Sequence, residues 1–564
     1  MKKYNWLFSA TIILCWSLQA FSQSTFKQVW ESKFENEGNF LKSSSEDGNF
    51  VIGSTKKDAC VLNGADGSTL WCGTFLGLAQ TKNAEEQQVL YDAGLLFLIN
   101  KQSGNDELVC MELKSGKKLW SSLDYNGLSL GSLIFIKDLK MLAIKIDKGL
   151  VMVDMYTGKE KWVIADWTGA ISRWVYLAGR KQLLLMNYSV NSITALAKGM
   201  KNQIMLVDAN TGEKIWETTY KGVVEVKRFA NRTFTVAKWI GTGVEKGMGS
   251  ANILVDIYVK GDKVFLEMNG LTVIDLNTGE QIWKVNYDVS LNRGLAGNAQ
   301  LYNAVADPLV VGDYVYIADF GKSRNKSLKK YELASGTLIW ETEIDGRKVI
   351  IPKLYNANGV VLAQIGGYVN LQGERREQIG NTSYLRQYSE WKWQGPFGLK
   401  GFDEKTGKML WETDKWDDRI SNVVAIDKKI FAADKTAIYG LDPLTGTVLF
   451  TTPTKGTKTG GALFAFPDND KIILLSENGI SGYQRDNGSL AFAFKSNDVR
   501  VNSSEFYGKK FFLATDDEIT QVDIGTGAVK GKYEYEKSTK YKITDEGDFL
   551  TTMSAKKVVK YKIE

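Results

Sequence analysis

An all-β array of four-stranded units is the fold class this sequence predicts. Three observations carry it: a hairpin phrase repeated about ten times, a spacing that bottoms near 40 residues, and no window with sustained helical periodicity. The phrase is an apolar strand followed by D-x-x-T-G-x-x-x-W or a close variant. It reads VLNGADGSTLW (61–71), MELKSGKKLW (111–120), VDMYTGKEKW (153–162), VDANTGEKIW (207–216), IDLNTGEQIW (274–283) and YELASGTLIW (331–340). It continues as FDEKTGKMLW (402–411), LDPLTGTVLF (441–450) and YQRDNGSLAF (483–492), then decays to VDIGTGAVKG (522–531). Successive copies lie 39 to 71 residues apart.

Each part of the phrase has a physical reason. Apolar alternation on either side of the turn predicts a β-hairpin. The glycine supplies the positive φ of a type I turn with a G1 bulge. The Thr, Ser, Asp or Asn before it closes the loop by local hydrogen bonding. Four residues after the glycine stands one large ring: Trp71, Trp120, Trp162, Trp216, Trp283, Trp340, Trp411, Phe450 and Phe492. A ring at the same place in every unit suits a wedge between neighbouring sheets, and each buries ~150–250 Å². These rings are read as structural. A cofactor or sugar platform needs one or two rings rather than a whole series.

The segments between the hairpins hold two more strands each. Residues 418–454 divide into RISNVVAID, KKIFAADK, TAIYGLDPL and TVLFTTP, four strands with nothing left over, and 459–497 and 498–536 are equally lean. The C-terminal tail supplies three strands, YKITDEGD, FLTTMSAKK and VVKYKIE. FKQVWESKFE (26–35), with Trp30 placed like the other rings, supplies the missing fourth and leaves no open sheet edge.

The T-G-x-x-x-W hairpins resemble the repeats of the quinoprotein (PQQ-like) β-propellers over nearly all of the mature chain. That family includes quinone-dependent alcohol dehydrogenases and the non-enzymatic outer-membrane assembly factor of the BamB type. The resemblance implies that the units are propeller blades. Eleven candidate blades exceed the four to eight of ordinary propellers, so two fused rings are preferred to one large ring.

Residues 1–22 read as a signal peptide. Lys2 and Lys3 precede the apolar stretch WLFSATIILCW (6–16), and Ala20-Phe21-Ser22 offers a cleavage site after Ser22. Cys15 follows Leu14, where a lipobox needs Gly, Ala or Ser. Ordinary export is therefore expected, to the periplasm or outside, with 23–564 as the repeat region and no later membrane span. Three cysteines remain. Hairpin arithmetic around Gly64–Ser68 places Cys60 directly opposite Cys72, where a disulfide and a pair of small buried hydrophobes both fit. The same arithmetic sets Cys110 opposite Trp120, as a buried free thiol.

Absences narrow the chemistry. The chain has 564 residues and no histidine, which excludes His-based triads, C-x-x-C-H haem attachment and nearly all zinc chemistry. The recurrent acids Asp154, Asp208, Asp275, Asp403, Asp442 and Asp523 belong to the turns, so no catalytic pair is nominated. A formal charge of +6 with interspersed signs argues against nucleic acid. GTGVEKGMGS (241–250) lacks G-K-[ST] and reads as a flexible loop. One short helix is expected around 190–201 (NSITALAKGM).

The resemblance implies, for its quinone enzymes, an adjacent Cys–Cys pair, a Trp under the quinone, calcium held by Glu, Asn and Asp, and a catalytic Asp. No two cysteines adjoin here, and the remaining positions have no residue-by-residue match. No cofactor is therefore assigned, neither PQQ nor calcium, and no metal ligand or catalytic residue.

The insertions locate a candidate site. Blades four to seven carry surplus at 187–202, 223–250, 291–303, 319–327 and 371–397, on the propeller face opposite the TG turns. The last contains Arg375, Arg376, Tyr384, Arg386, Tyr388, Trp391 and Trp393, residue types enriched at binding hot spots. A competing role for the two tryptophans is to pack the loop onto the ring. The expectation is an exported, non-catalytic binding or scaffold propeller that recognises an envelope or extracellular protein, or a glycan, through the loop-rich face of blades four to seven. The alternative is a PQQ/Ca-dependent oxidoreductase or another carboxylate-based enzyme in the funnel.

Overall fold

The computed structural model describes residues 26–564 except 37, 147–148, 168–169, 189–202, 221–255, 268–269, 288–290, 294–298, 303, 321–325, 345–348, 380–381, 497–503, 516, 537 and 556. The signal segment expected at 1–22, the helix expected around 190–201 and the Gly-rich stretch 241–250 lie outside the described residues, as do 189–202, 223–250 and 321–325 among the insertions.

The described strands form eleven antiparallel sheets in chain order. Blades 1 to 10 span 41–74, 86–125, 133–164, 170–219, 256–285, 309–344, 353–412, 424–453, 462–495 and 505–534. Blade 11 joins three C-terminal strands (540–563) to Phe26–Ser32, which pairs antiparallel with Val558–Ile563. A five-residue helix, Phe75–Ala79, follows blade 1, with Thr74 accepting from the Gly77 N–H at its start. It is too short to leave a periodicity in the sequence.

The turns form as their residues dictate. In blade 3, Asp154 Oδ1 accepts from the N–H groups of Tyr156 and Thr157 (3.1 and 2.9 Å), and Gly158 N donates to Asp154 O at 2.9 Å. Gly158 has φ +67°, and the strand register slips by one residue at Met152/Val153, which is the bulge.

The rings then dock each blade on the next. Trp30 lies over Gly67, Trp71 over Gly116, Trp120 over Gly158, Trp162 over Gly212 and Trp216 over Gly279. Trp283, Trp340, Trp411, Phe450 and Phe492 continue onto Gly336, Gly407, Gly446, Gly488 and Gly527. Every wedge tryptophan also donates its indole N–H to the carbonyl that follows the turn's first residue in that next blade. Examples are Trp162 to Ala209 O (3.1 Å), Trp216 to Leu276 O (2.7 Å) and Trp411 to Pro443 O (2.9 Å). One side chain thus fills the interface and satisfies a buried carbonyl.

These contacts correct the preference for two rings. The wedges step from blade 1 to blade 10 in sequence order without a skip, Tyr533 of blade 10 packs on Phe26 and Tyr561 of blade 11, and Trp30 of blade 11 covers Gly67 of blade 1. The first strands of blades 1 and 11, Leu41–Ser44 and Lys540–Ile543, also touch. The chain is one propeller of eleven blades. The repeat spacing does not reveal this, because each wedge reports only on its nearest neighbour.

Two blades place a lysine opposite the wedge ring where the others have an apolar or small residue. Lys330 pairs with Trp340, and Lys560 with Trp30. Each lysine donates to the same carbonyl as its tryptophan: Lys330 to Glu404 O (2.9 Å) and Lys560 to Gly64 O (2.7 Å). Lys560 also reaches Gly48 O at 2.9 Å, so the last strand is tied to blade 1. Burial holds both ammonium groups below their ordinary pKa.

Candidate binding face

The surplus at 371–397 is not a loop. It lengthens the second and third strands of blade 7 into one hairpin, Val360–Ile379 with Thr382–Asp403, paired without a break from Gly367–Gln394 to Ile379–Thr382. The hairpin leaves the blade at a bulge between Ile365 and Gly367. Gly366 has φ +77° there, and a Cβ on it would lie 2.3 Å from Pro396 O, so only glycine fits.

The neighbouring insertion joins it. Leu291–Arg293 and Ala299–Tyr302, which lie between blades 5 and 6 in sequence, pair with each other, and Ala299–Tyr302 then pairs with 370–373. Two insertions that are separate in the sequence therefore meet as one sheet projecting from blade 7. Val369 and Leu371 pack one side of its base against Ala304 and Ile350.

Antiparallel register sorts the candidate residues onto two faces. Tyr388 is opposite Gly373, Arg386 opposite Arg375 and Tyr384 opposite Glu377, all at positions in phase with Val369 and Leu371. Arg376, opposite Leu385, shares the other phase with Trp391 and Trp393. The register thus divides the seven between two phases. On the second face stands Tyr368, absent from the sequence-derived set. It is 49% exposed and stacks on Trp391 (42% exposed) with ring centroids 5.3 Å apart and planes at 24°. Trp393 lies 5.1 Å from Tyr368 and turns inward against Phe397. Trp393 does pack the hairpin onto the ring. Trp391 does not.

The row ends on a charged pair from the next two blades. The Arg419 guanidinium lies 5.4 Å from the Trp393 ring centre, and its Nη1 donates to Glu477 Oε1 at 2.8 Å. Arg419 is only 8% exposed, and its Nε has no hydrogen-bond partner. Burial tends to raise the Glu477 carboxyl pKa. Hydrogen bonds from Arg419 and from Gly461 N–H (3.2 Å) outweigh this and leave it lowered. Neither charge was signalled in the sequence, because each is a single residue in an inter-strand segment outside the repeat.

Elsewhere, a cleft of about 490 Å³ opens between blades 2 and 3, lined by Trp120, Tyr125, Thr157 and Glu160 among others. It adjoins the wedge Trp120, which is only partly buried where the other wedge tryptophans are buried. Cys60 and Cys72 are in register and joined by a disulfide with Cα atoms 4.1 Å apart. Cys110 faces Trp120 as a buried thiol, its pKa raised by burial. Among the described residues no three of Asp, Glu, Cys or His come together as a metal cage. No two cysteines adjoin in the sequence.

The sequence matches the family model described as outer membrane protein assembly factor BamB over residues 17–223, 267–378 and 398–560. The chain belongs to this family of PQQ-like repeat propellers. No curated protein is significantly similar in sequence. Among solved structures, BamB from Moraxella catarrhalis aligns at 15% identity over 80% of this chain and 97% of its own, with a TM-score of 0.29. A europium-containing methanol dehydrogenase aligns at 12% identity over 82% and 91%, with a TM-score of 0.28. The quinohemoprotein alcohol dehydrogenase ADHIIG from Pseudomonas putida HK5 gives 11% identity over 84% and 74%, again at 0.28. Scores this low carry no argument about function. No helix among the described residues is long and apolar enough to cross a membrane.

Proposed function

We propose that this BamB-family propeller is an exported, non-catalytic scaffold that docks an envelope protein on the projecting sheet of blade 7. The observation that carries the reading is an open strand edge. Residues 382–393 pair with the opposite arm of the hairpin, and among the described residues no strand pairs with their outer side. An unprotected edge of that length is a template for an added strand, whose main-chain hydrogen bonds give affinity and whose alternate side chains give specificity. The family description, an outer-membrane assembly factor, points to an envelope protein as the source of that strand. Ten wedged interfaces make the ring a rigid support for it.

A photo-crosslinking residue at Lys392, on the open arm but outside the segment replaced below, in cells producing the full chain, tests this. The expected result is one dominant adduct with an envelope protein, abolished when 372–389 are replaced by a two-residue turn in a variant that melts like the parent. Adducts at Lys392 unchanged by that replacement overturn the proposal.

A further inference from the structure

We infer that the aromatic row of blade 7, with Arg419 and Glu477, forms a binding cleft for an uncharged pyranose saccharide. The site uses a face of the projecting sheet, not its open edge, and so stands independently of strand docking.

Two rings are held out to solvent rather than folded away. Tyr368 and Trp391, roughly half exposed and stacked on each other, present flat faces along the hairpin, and Trp393 continues the row down to the ring. Surface rings of this size are ordinarily covered, so a contiguous exposed pair marks a ligand site. A pyranose offers a C–H-rich face that matches an aromatic plane, and hydroxyls around its rim that require donors and acceptors.

Those partners are at the foot of the row. Arg419 is held by three elements: its guanidinium faces Trp393, its Nη1 meets Glu477, and the Gly461 backbone closes against it. A Cβ at Gly461 would come within 2.5 Å of Arg419 Cζ, so the group is fixed in place. The guanidinium fork donates and the half-exposed Glu477 carboxylate accepts, an arrangement suited to two adjacent hydroxyls. The Arg419 Nε is itself buried and makes no hydrogen bond within the protein.

Charge selects the ligand class. Arg419 and Glu477 cancel, so the cleft carries no surplus to hold a phosphate, sulfate or uronate. Nucleic acid, whose affinity rests on neutralised phosphates, is a poor match. A neutral sugar chain asks only for stacking and directional hydrogen bonds.

The test is isothermal titration of the full mature chain with maltohexaose, cellohexaose, laminarihexaose and xylohexaose, with hexagalacturonate and a proline-rich decapeptide as controls. At least one neutral hexasaccharide is expected to bind. Tyr368→Ala and Trp391→Ala are expected to weaken it at least tenfold at unchanged melting temperature, and Arg419→Lys to weaken it as well. Leu338→Ala, an exposed residue on blade 6, leaves it unchanged. No binding by any neutral hexasaccharide overturns the inference. So does binding confined to the uronate or the peptide, or binding indifferent to Trp391→Ala.

Discussion

The wedge at the blade 3–4 interface supports a prediction that can be worked through in numbers. Trp162 is 7% exposed, covers Gly212 and donates to Ala209 O at 3.1 Å. Trp162→Ala removes a buried ring and leaves that carbonyl without its donor, a loss of about 3–5 kcal/mol. Gly212→Ala acts on the same contact from the other side. Its Cβ would lie 2.5 Å from Trp162 Cδ2, and its φ of +74° adds about 1–2 kcal/mol for any residue with a side chain. In the Trp162→Ala background the clash is gone and only the backbone term remains. The two substitutions should therefore cost less together than apart, with a coupling of about 1–3 kcal/mol. Urea titration of wild type, both single variants and the double variant closes the cycle, with tryptophan fluorescence and circular dichroism recorded together. Coincidence of the two signals checks the two-state assumption, which a long repeat array can violate. Strictly additive costs would show that ring and glycine do not share one contact, and the wedge reading would fall.

Two further outcomes follow from the same interfaces. Denatured, unreduced protein produced without residues 1–22 should show one titratable thiol, Cys110, and Cys72→Ser should lower stability by ~3 kcal/mol in the chain-entropy account; three thiols without reductant would contradict the Cys60–Cys72 bond. Lys560→Met deprives Gly48 O of its side-chain donor while Gly64 O keeps Trp30, a cost of about 1–3 kcal/mol near neutral pH. Burial lowers the folded pKa of Lys560, so the folded state carries an ionisation penalty at pH values below it. The penalty is relieved as pH rises from that depressed value to the ordinary 10.5. Wild-type stability should accordingly gain on Lys560→Met across that window, and an unchanging difference would show that the ammonium is not desolvated.

How much of this was legible in the sequence depended on range. The turn residues, the rings and the register of Cys60 against Cys72 are local consequences of one phrase, and a hairpin fixes its own pairing. The N-terminal closing strand was legible because Trp30 repeats the wedge spacing and the tail is one strand short. The ring count was not, since it depends on contacts between residues at opposite ends of the chain. Nor was the union of 299–302 with 370–373, because short strands without a shared turn carry no mark of their partner. The alternation Tyr368, Asn370 against Trp391, Trp393 holds the face assignment, yet it becomes informative only once 371–397 is known to be strand.

Ten interfaces use the wedge and the eleventh cannot. In blade 10 the ring position is occupied by Gly531, and in blade 11 the third and fourth strands come from opposite ends of the chain, so no TG turn exists for a ring to cover. Tyrosines replace it. Tyr533 and Tyr561 sit with ring centroids 4.6 Å apart and hydroxyls 3.0 Å apart, flanked by Phe26 and Tyr541. Such an interface lacks the indole-to-carbonyl bond that fixes the tryptophan-wedged interfaces in angle. The N-terminal strand makes up for this by serving two blades at once: it completes the sheet of blade 11 and sends Trp30 onto Gly67 of blade 1, where Lys560 adds its own bonds. Closure of the ring therefore rests on Phe26–Ser32 more than on any other strand. Its removal would expose the edge of Val558–Ile563 and unseat blade 1 in a single step.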